Sequence, residues 1–331
     1  MIAKEAIVKT LKWGVLGISG HYKLRVHRPL KGLEGAELYS IASRDTKRAA
    51  EAAEAFGFIK SYGSYQALID DEGIDAVYLP LPNDLHLEWI KKAADAGKHI
   101  VCEKPLCMSS AEVDEAFAYC ADKGVFLMEA FMFRFHPQWI KIKEMVDIGE
   151  LGELKSIQCI FSYDNTDPRN IRNKAENGGG AMRDIGCYGV AVSNLLLGRE
   201  PLSVQSLIDN DPIFKTDQLT SFMMDFGNCH SIVTVSTQLF DEQKIRILGT
   251  GGSVEVKVPF NTANDVPAEV TMRNGIDERT IRTPAVDQYR CEFEKFTEAV
   301  LNNDAGFFSM MEAFSKRNQK VIDSVFEAGD M

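Results

Sequence analysis

Short apolar runs alternate with amphipathic stretches over the first 130 or so residues. Residues 11–16, 38–42, 76–79, 99–101 and 125–128 read as strands, because neighbouring positions are apolar, as a strand covered on both faces requires. Residues 46–56 are rich in Ala, Glu and Lys and read as a helix. Residues 85–96 carry apolar positions at helical spacing and stop at Gly97, and 109–123 open on Ser109 and stop at Gly124. Strand and helix in alternation predict βαβ units and a doubly wound parallel sheet.

After Glu129 the pattern changes. Residues 136–149 read as one connecting helix. Strand-type runs then dominate at 156–163, 220–226, 231–237, 245–248 and 254–258. The short turns 226–228 and 249–252 predict antiparallel meanders. Helical patterns return at 181–197, at 288–301 and near the end. No repeat or low-complexity linker separates the halves. The expectation is an α/β chain with two packed domains. Residues 1–130 form the parallel, Rossmann-type sheet, and 131–331 form an α+β domain with a large, mostly antiparallel open sheet.

Composition narrows the function. The chain has 331 residues and 45% hydrophobic content, enough for two cores. Its 37 basic and 48 acidic residues leave a net charge of -11, which gives no electrostatic footprint for nucleic acid or an anionic membrane. No apolar run is long enough to span a bilayer, and residues 1–5 are interrupted by charge rather than forming a signal segment. The 7 cysteines and 6 histidines are scattered without metal-ligand spacing. Reduced thiols, a cytoplasmic location and no metal site are expected.

The chemistry gathers at strand ends. The first strand runs into Gly17-Ile18-Ser19-Gly20-His21 before a helical stretch, where a phosphate-binding turn belongs. Gly17 fits the first glycine of that motif, Ser19 replaces the second, and Gly20 is the candidate for the third. The second strand ends in Ser43-Arg44, with Lys47 and Arg48 one turn on. An NAD site usually has Asp or Glu there, whereas a hydroxyl and guanidinium suit a 2′-phosphate. NADP(H) is therefore favoured over NAD(H). The third strand ends in Pro80-Leu81-Pro82-Asn83-Asp84-Leu85-His86, which puts Pro80, Leu81, Asn83 and His86 near the same edge. The fourth runs into Glu103-Lys104-Pro105, and proline limits the directions open to Lys104. A second cluster is Asn177-Gly178-Gly179-Gly180-Ala181-Met182-Arg183-Asp184-Ile185-Gly186-Cys187-Tyr188. Its glycines allow close approach of backbone to a ligand, and Asp184 and Tyr188, four apart, share a helix face. A tyrosine hydroxyl can exchange a proton with an alcohol or carbonyl once a nearby ammonium lowers its pKa; Lys104 is placed to supply that charge, and Asp184 to hydrogen-bond the lysine or the substrate and fix the geometry.

Together the Cys102–Leu106 run, the Pro82–His86 turn and the 178–188 segment resemble the glucose–fructose oxidoreductase / inositol dehydrogenase (Gfo/Idh/MocA) family. The Met128–Gln138 stretch is similar to that family's crossover between domains. Asp167–Arg172 is similar to the branch of NADP-dependent xylose dehydrogenases, glucose–fructose oxidoreductase and dimeric dihydrodiol dehydrogenases. The resemblance implies Lys104, Tyr188 and Asp184 as catalytic residues. It implies Glu103 near the nicotinamide ribose, Arg134 in the cofactor set, and pairing of subunits through the open sheet into a dimer or higher homo-oligomer. The expected activity is NADP(H)-dependent hydride exchange at a sugar or cyclic polyol carbon, with Phe161, Tyr163 and Arg172 beside the substrate. Arg172 leaves phosphorylated sugars open. The alternatives are a trans-dihydrodiol dehydrogenase and a non-catalytic NADP-binding regulator.

Overall fold

The computed structural model describes residues 10–329, so the charged segment 1–5 lies outside the described residues. The first sheet is built from β1 (Leu11–Leu16), β2 (Ala36–Ala42), β3 (Lys60–Tyr62), β4 (Ala76–Leu79), β5 (His99–Glu103) and β6 (Leu127–Ala130), in the order β3-β2-β1-β4-β5-β6. All its pairings are parallel. Strand order reverses between β1 and β4, the switch point where such sheets open a crevice. Every residue of β4 and β6 is buried, which explains the unbroken apolar runs. Residues 60–62 carry no such run. β3 is a three-residue edge strand, half in solvent, and so left no hydrophobic signature.

Caps set the helix starts. Asp45 accepts the Arg48 N–H at the head of helix Thr46–Phe56, and Ser109 accepts the Glu112 N–H at the head of Ser110–Asp122.

The second sheet holds β7 (Leu154–Asp164), β8 (Ser203–Asn210), β9 (Asp217–Asp225), β10 (His230–Ser236), β11 (Gln238–Gly249), β12 (Ser253–Val256), β13 (Ala268–Asn274) and β14 (Asp277–Thr283). Its order is β14-β13-β12-β11-β7-β10-β9-β8. β7 and β10 pair parallel, and all other neighbours are antiparallel. The expected meanders at β9–β10 and β11–β12 are present. β13 and the edge strands β8 and β14 were not expected, because none has an apolar run and much of their surface is exposed.

One face of this sheet is packed. Ile157, Cys159, Val233, Val235, Ile245 and Ile247 point inward and are buried. The face with Ile160, Leu207 and Ile232 is open. The two late helices turn back to the first sheet. Gln288–Leu301 sets Phe293 against Trp13 and Tyr78, with ring centroids 5.2 and 5.4 Å apart. Ala305–Gly329 packs on β8, where Ser206 Oγ donates to Val325 O (2.6 Å). No described helix is long and apolar enough to cross a membrane.

Candidate active site

The carboxyl ends of β1, β2, β4 and β5 open on a cleft of about 1290 Å³, closed on its far side by residues of β7, the 165–179 segment and β11. At one end the chain leaves β1 through Gly17, whose φ of 109° favours glycine. Ser19 sits where the motif has its second glycine and has a definite task. Its Oγ accepts the Tyr22 N–H (3.0 Å), so it caps the helix whose first turn faces the cleft. Arg48 donates to Ile18 O (3.0 Å) and ties this turn to the end of β2. Ser43 and Arg44 line the same end. Asp45 also lines this end, and its Oδ1 accepts the Arg48 N–H as the cap of helix Thr46–Phe56.

The middle of the cleft is the Glu103-Lys104-Pro105 corner. Burial raises the Glu103 carboxyl, but His21 Nε2, 3.3 Å from Oε1, and the Tyr78 hydroxyl, which donates to it at 2.6 Å, bring it down to about 2. The His21 contact is an ion-pair distance without hydrogen-bond alignment. Lys104–Pro105 is a cis peptide. Beneath it His86 is fully buried, with Nε2 2.9 Å from Leu81 O and Nδ1 3.1 Å from both Pro105 O and Leu106 O. Burial holds its imidazole below the usual range. His86 is therefore no cofactor contact; it staples the Leu81 turn to the Lys104 corner from below. Glu129, absent from the expected set, supports the same corner. It accepts the Leu106 N–H (2.8 Å), and burial pushes its carboxyl up to about 7.

Asp184 is the hub of the far end. It lies in a widened helical turn, Met182–Gly186, ahead of helix Cys187–Leu197. Lys104 Nζ donates to its carbonyl (2.5 Å) and lies 3.3 Å from Oδ1. Arg172 Nε lies 2.7 Å from Oδ2, and the Tyr163 hydroxyl donates to the same oxygen (2.5 Å). Burial opposes the charge, but Arg172 and Lys104 outweigh it and hold the carboxyl far below its usual range. Burial likewise opposes the Lys104 charge, and Asp184 holds that ammonium above its usual range.

Tyr188 lies on the adjoining turn, ringed by Phe131, Phe133, Phe161 and Phe260. Its hydroxyl donates to Met132 Sδ (3.6 Å), a weak acceptor. Lys104 Nζ lies 4.9 Å from its ring centroid. The expected lowering of the Tyr188 pKa is not found. Burial raises it well above the ordinary value, with Cys187 and Glu103 adding to the effect.

The glycine run also departs from expectation. A Cβ on Gly179 would fall 2.4 Å from Arg172 O, and one on Gly180 1.8 Å from Asp217 Oδ1. The chain's own atoms require these glycines, although Gly178 and Gly179 line the cleft. Asn83 joins this loop to the first sheet by donating to Gly178 O (2.9 Å).

Of the remaining expected residues, Gly20, Pro80, Leu81, Asn83, Phe161, Tyr163 and Arg172 all line the cleft. Lys47 does not; its ammonium is exposed and pairs with Glu51. Arg134 does not either. Its guanidinium is buried 3.6 Å over the Phe314 ring and donates to Met311 Sδ, because the short turn Met132–Phe135 directs it toward helix Ala305–Gly329. Tyr289, Asp241, Glu242 and Asn261 also line the cleft. They come from late segments with no motif to mark them.

A parallel sheet with a phosphate turn at its switch point, facing a lysine–aspartate–tyrosine group across one cleft, defines an oxidoreductase of the dinucleotide-binding class. Residues 11–131 match the oxidoreductase family with an NAD-binding Rossmann fold, and residues 139–255 match the GFO/IDH/MocA C-terminal domain. The chain belongs to the Gfo/Idh/MocA oxidoreductase family. It is 40% identical over 297 residues to an uncharacterised oxidoreductase of Rhizobium meliloti, covering 88% of this chain and 89% of that one. It is 34% identical to D-xylose 1-dehydrogenase (NADP(+)) 2 of Haloferax volcanii, covering 97% and 98%. Its fold is similar to that of a 3-ketoreductase from Actinomadura kijaniata in complex with NADP and TDP-benzene. The TM-score is 0.91 at 28% identity, covering 96% of this chain and 98% of that one.

Proposed function

We propose that the protein is an NADP(H)-dependent dehydrogenase or reductase of a sugar or cyclic polyol. The observation that carries this reading is the Lys104–Asp184–Tyr188 group, which shares one cleft with the phosphate turn and Arg44. The donor set suits the 2′-phosphate. Ser43 and Arg44 stand at the end of β2, Arg44 has no hydrogen-bond or ion-pair partner among the described residues, and the one nearby carboxylate is used as a cap. Backbone after Gly17 and the helix begun at Ser19 suit the diphosphate.

When bound, the nicotinamide supplies or accepts the hydride. The protein's own groups handle the proton. Tyr188, kept protonated by burial, is poised to donate to a carbonyl oxygen. Among the described residues its hydroxyl bonds only to a thioether, so it can turn to the substrate at little cost. Lys104, fixed by Asp184, holds a positive charge where the substrate oxygen becomes negative. In the oxidative direction Tyr188 must first release its own proton to solvent, and its phenolate oxygen then takes the alcohol proton, with the Lys104 ammonium stabilising that phenolate. All seven cysteines are free thiols, which supports a reducing, cytoplasmic setting. The open face of the second sheet, with Ile160, Leu207 and Ile232 exposed, supports pairing of two copies through it.

Calorimetric titration with NADPH and NADH tests the cofactor. NADPH should bind more tightly, and Arg44→Ala should remove about tenfold or more of that preference, the scale of one charge-assisted contact. Equal affinities, or tighter NADH, would sink the NADP(H) reading.

A further inference from the structure

Two side chains converge on one oxygen of Glu103. The Tyr78 hydroxyl donates to Oε1 (2.6 Å), and His21 Nε2 lies 3.3 Å from the same atom. Oε2 has no hydrogen-bond or ion-pair partner among the described residues, and Glu103 lines the cleft. A carboxylate pinned at one oxygen presents the other as a free acceptor.

The two partners differ in origin. Tyr78 belongs to β4 and is fully buried. His21 follows Ser19 and Gly20 as the chain leaves the phosphate turn, and it lines the cleft. Its ring is set edge-on to Tyr289 of the helix Gln288–Leu301, with centroids 5.4 Å apart. Its Nε2 is buried and makes no aligned hydrogen bond. A buried polar atom in that condition is costly, and a small turn of either side chain would align it with the carboxylate it already meets. If Arg44 takes the 2′-phosphate and the turn after Gly17 takes the diphosphate, the nicotinamide half has to reach Lys104 and Tyr188. Glu103 adjoins Lys104 in the chain, so its free oxygen suits ribose hydroxyls on that half. His21 thereby ties the turn that holds the diphosphate to the carboxylate that holds the ribose.

We infer that His21 is a positioning residue for the cofactor, fixing Glu103 through Oε1 so that Oε2 meets the nicotinamide half. This rests on the NADP(H) reading above and adds a residue outside its expected cofactor set.

Calorimetric titration with NADPH and with 2′,5′-ADP, which carries the 2′-phosphate but no nicotinamide half, separates this role from a structural one. His21→Leu should weaken NADPH about tenfold, the scale of one hydrogen bond to a charged group, and leave 2′,5′-ADP within about twofold. Glu103→Gln should also weaken NADPH, and adding His21→Leu to it should cost little more, because both act through one carboxylate. His21→Gln keeps an N–H donor and should stay within about threefold of wild type. Unchanged NADPH affinity in His21→Leu, equal losses for both ligands, additive losses in the double variant, or a Gln variant as weak as the Leu variant would each overturn the inference. Wild-type protein that binds neither ligand would instead overturn the NADP(H) reading itself.

Discussion

Tyr188 combines an aromatic cage with a hydroxyl that has no strong partner. The ring is fixed by four phenylalanines, the nearest being Phe260 at 4.8 Å between centroids. Tyr188→Phe therefore preserves the ring packing and removes only the hydroxyl. Turnover should fall on the order of 10²–10⁴-fold, the usual contribution of a positioned acid or base, while NADPH affinity stays level. A variant with near-normal kcat would exclude this hydroxyl as the proton carrier. The residues that matter here were readable from sequence because they stand at strand ends and beside glycines. Their electrostatics were not. The sequence puts Lys104, Asp184 and Tyr188 in one region, and the expected bond between Asp184 and the lysine is present across eighty residues, but its consequence for the Tyr188 hydroxyl was not readable. His86 shows the same limit. Its place after a Pro-Asn turn marked it for the cofactor set, yet the ring is buried and faces three carbonyls under the surface.

Among the elements, the loop before helix Cys187–Leu197 is the most tightly determined. Asp217, on β9, accepts the N–H of Met182 (2.6 Å) and the hydroxyl of Thr220 (2.8 Å), so it anchors the start of the turn that carries Asp184. Its carboxylate fills the place where a side chain at Gly180 would lie, and Gly180 has φ 112°. Gly180→Ala must strain the backbone and dislodge the anchor, at a cost of about 2–4 kcal/mol. A clearly lower denaturation midpoint and a loss of turnover are expected. An unaltered midpoint would mean that the loop relaxes freely. The glycines were legible as a constraint, but what imposes it came from a strand whose Asp217 looks like any other acidic residue. Strands followed the same rule. Those with an apolar run or a clear alternation announced themselves, whereas β3, β8, β13 and β14 stayed silent because solvent takes much of their surface.

At the scale of the whole molecule, the open face of the second sheet has apolar residues on neighbouring strands, Ile160 on β7 and Ile232 on β10. If two copies pair there, as we propose, a charge in the middle of that face should separate them. Wild-type protein should sediment as a dimer and Ile232→Lys as a folded monomer. A wild-type monomer at micromolar concentration would refute pairing through this face. The division into a parallel and a mostly antiparallel sheet was visible in the shift of hydrophobic period after residue 129. The return of the late helices to the first sheet was not, since a helix pattern names no partner.

That return bears on how the protein is made. Trp13, on the first strand, and Tyr78, on the fourth, are covered by Phe293, and Trp13 also by Phe296, all from the helix Gln288–Leu301. A ribosome that has emitted only the first sheet has released a layer with one apolar flank still uncovered. The nucleotide-binding half cannot be finished until nearly three hundred residues have emerged, so through most of synthesis the nascent chain depends on chaperones or on its own loose collapse to shield that flank.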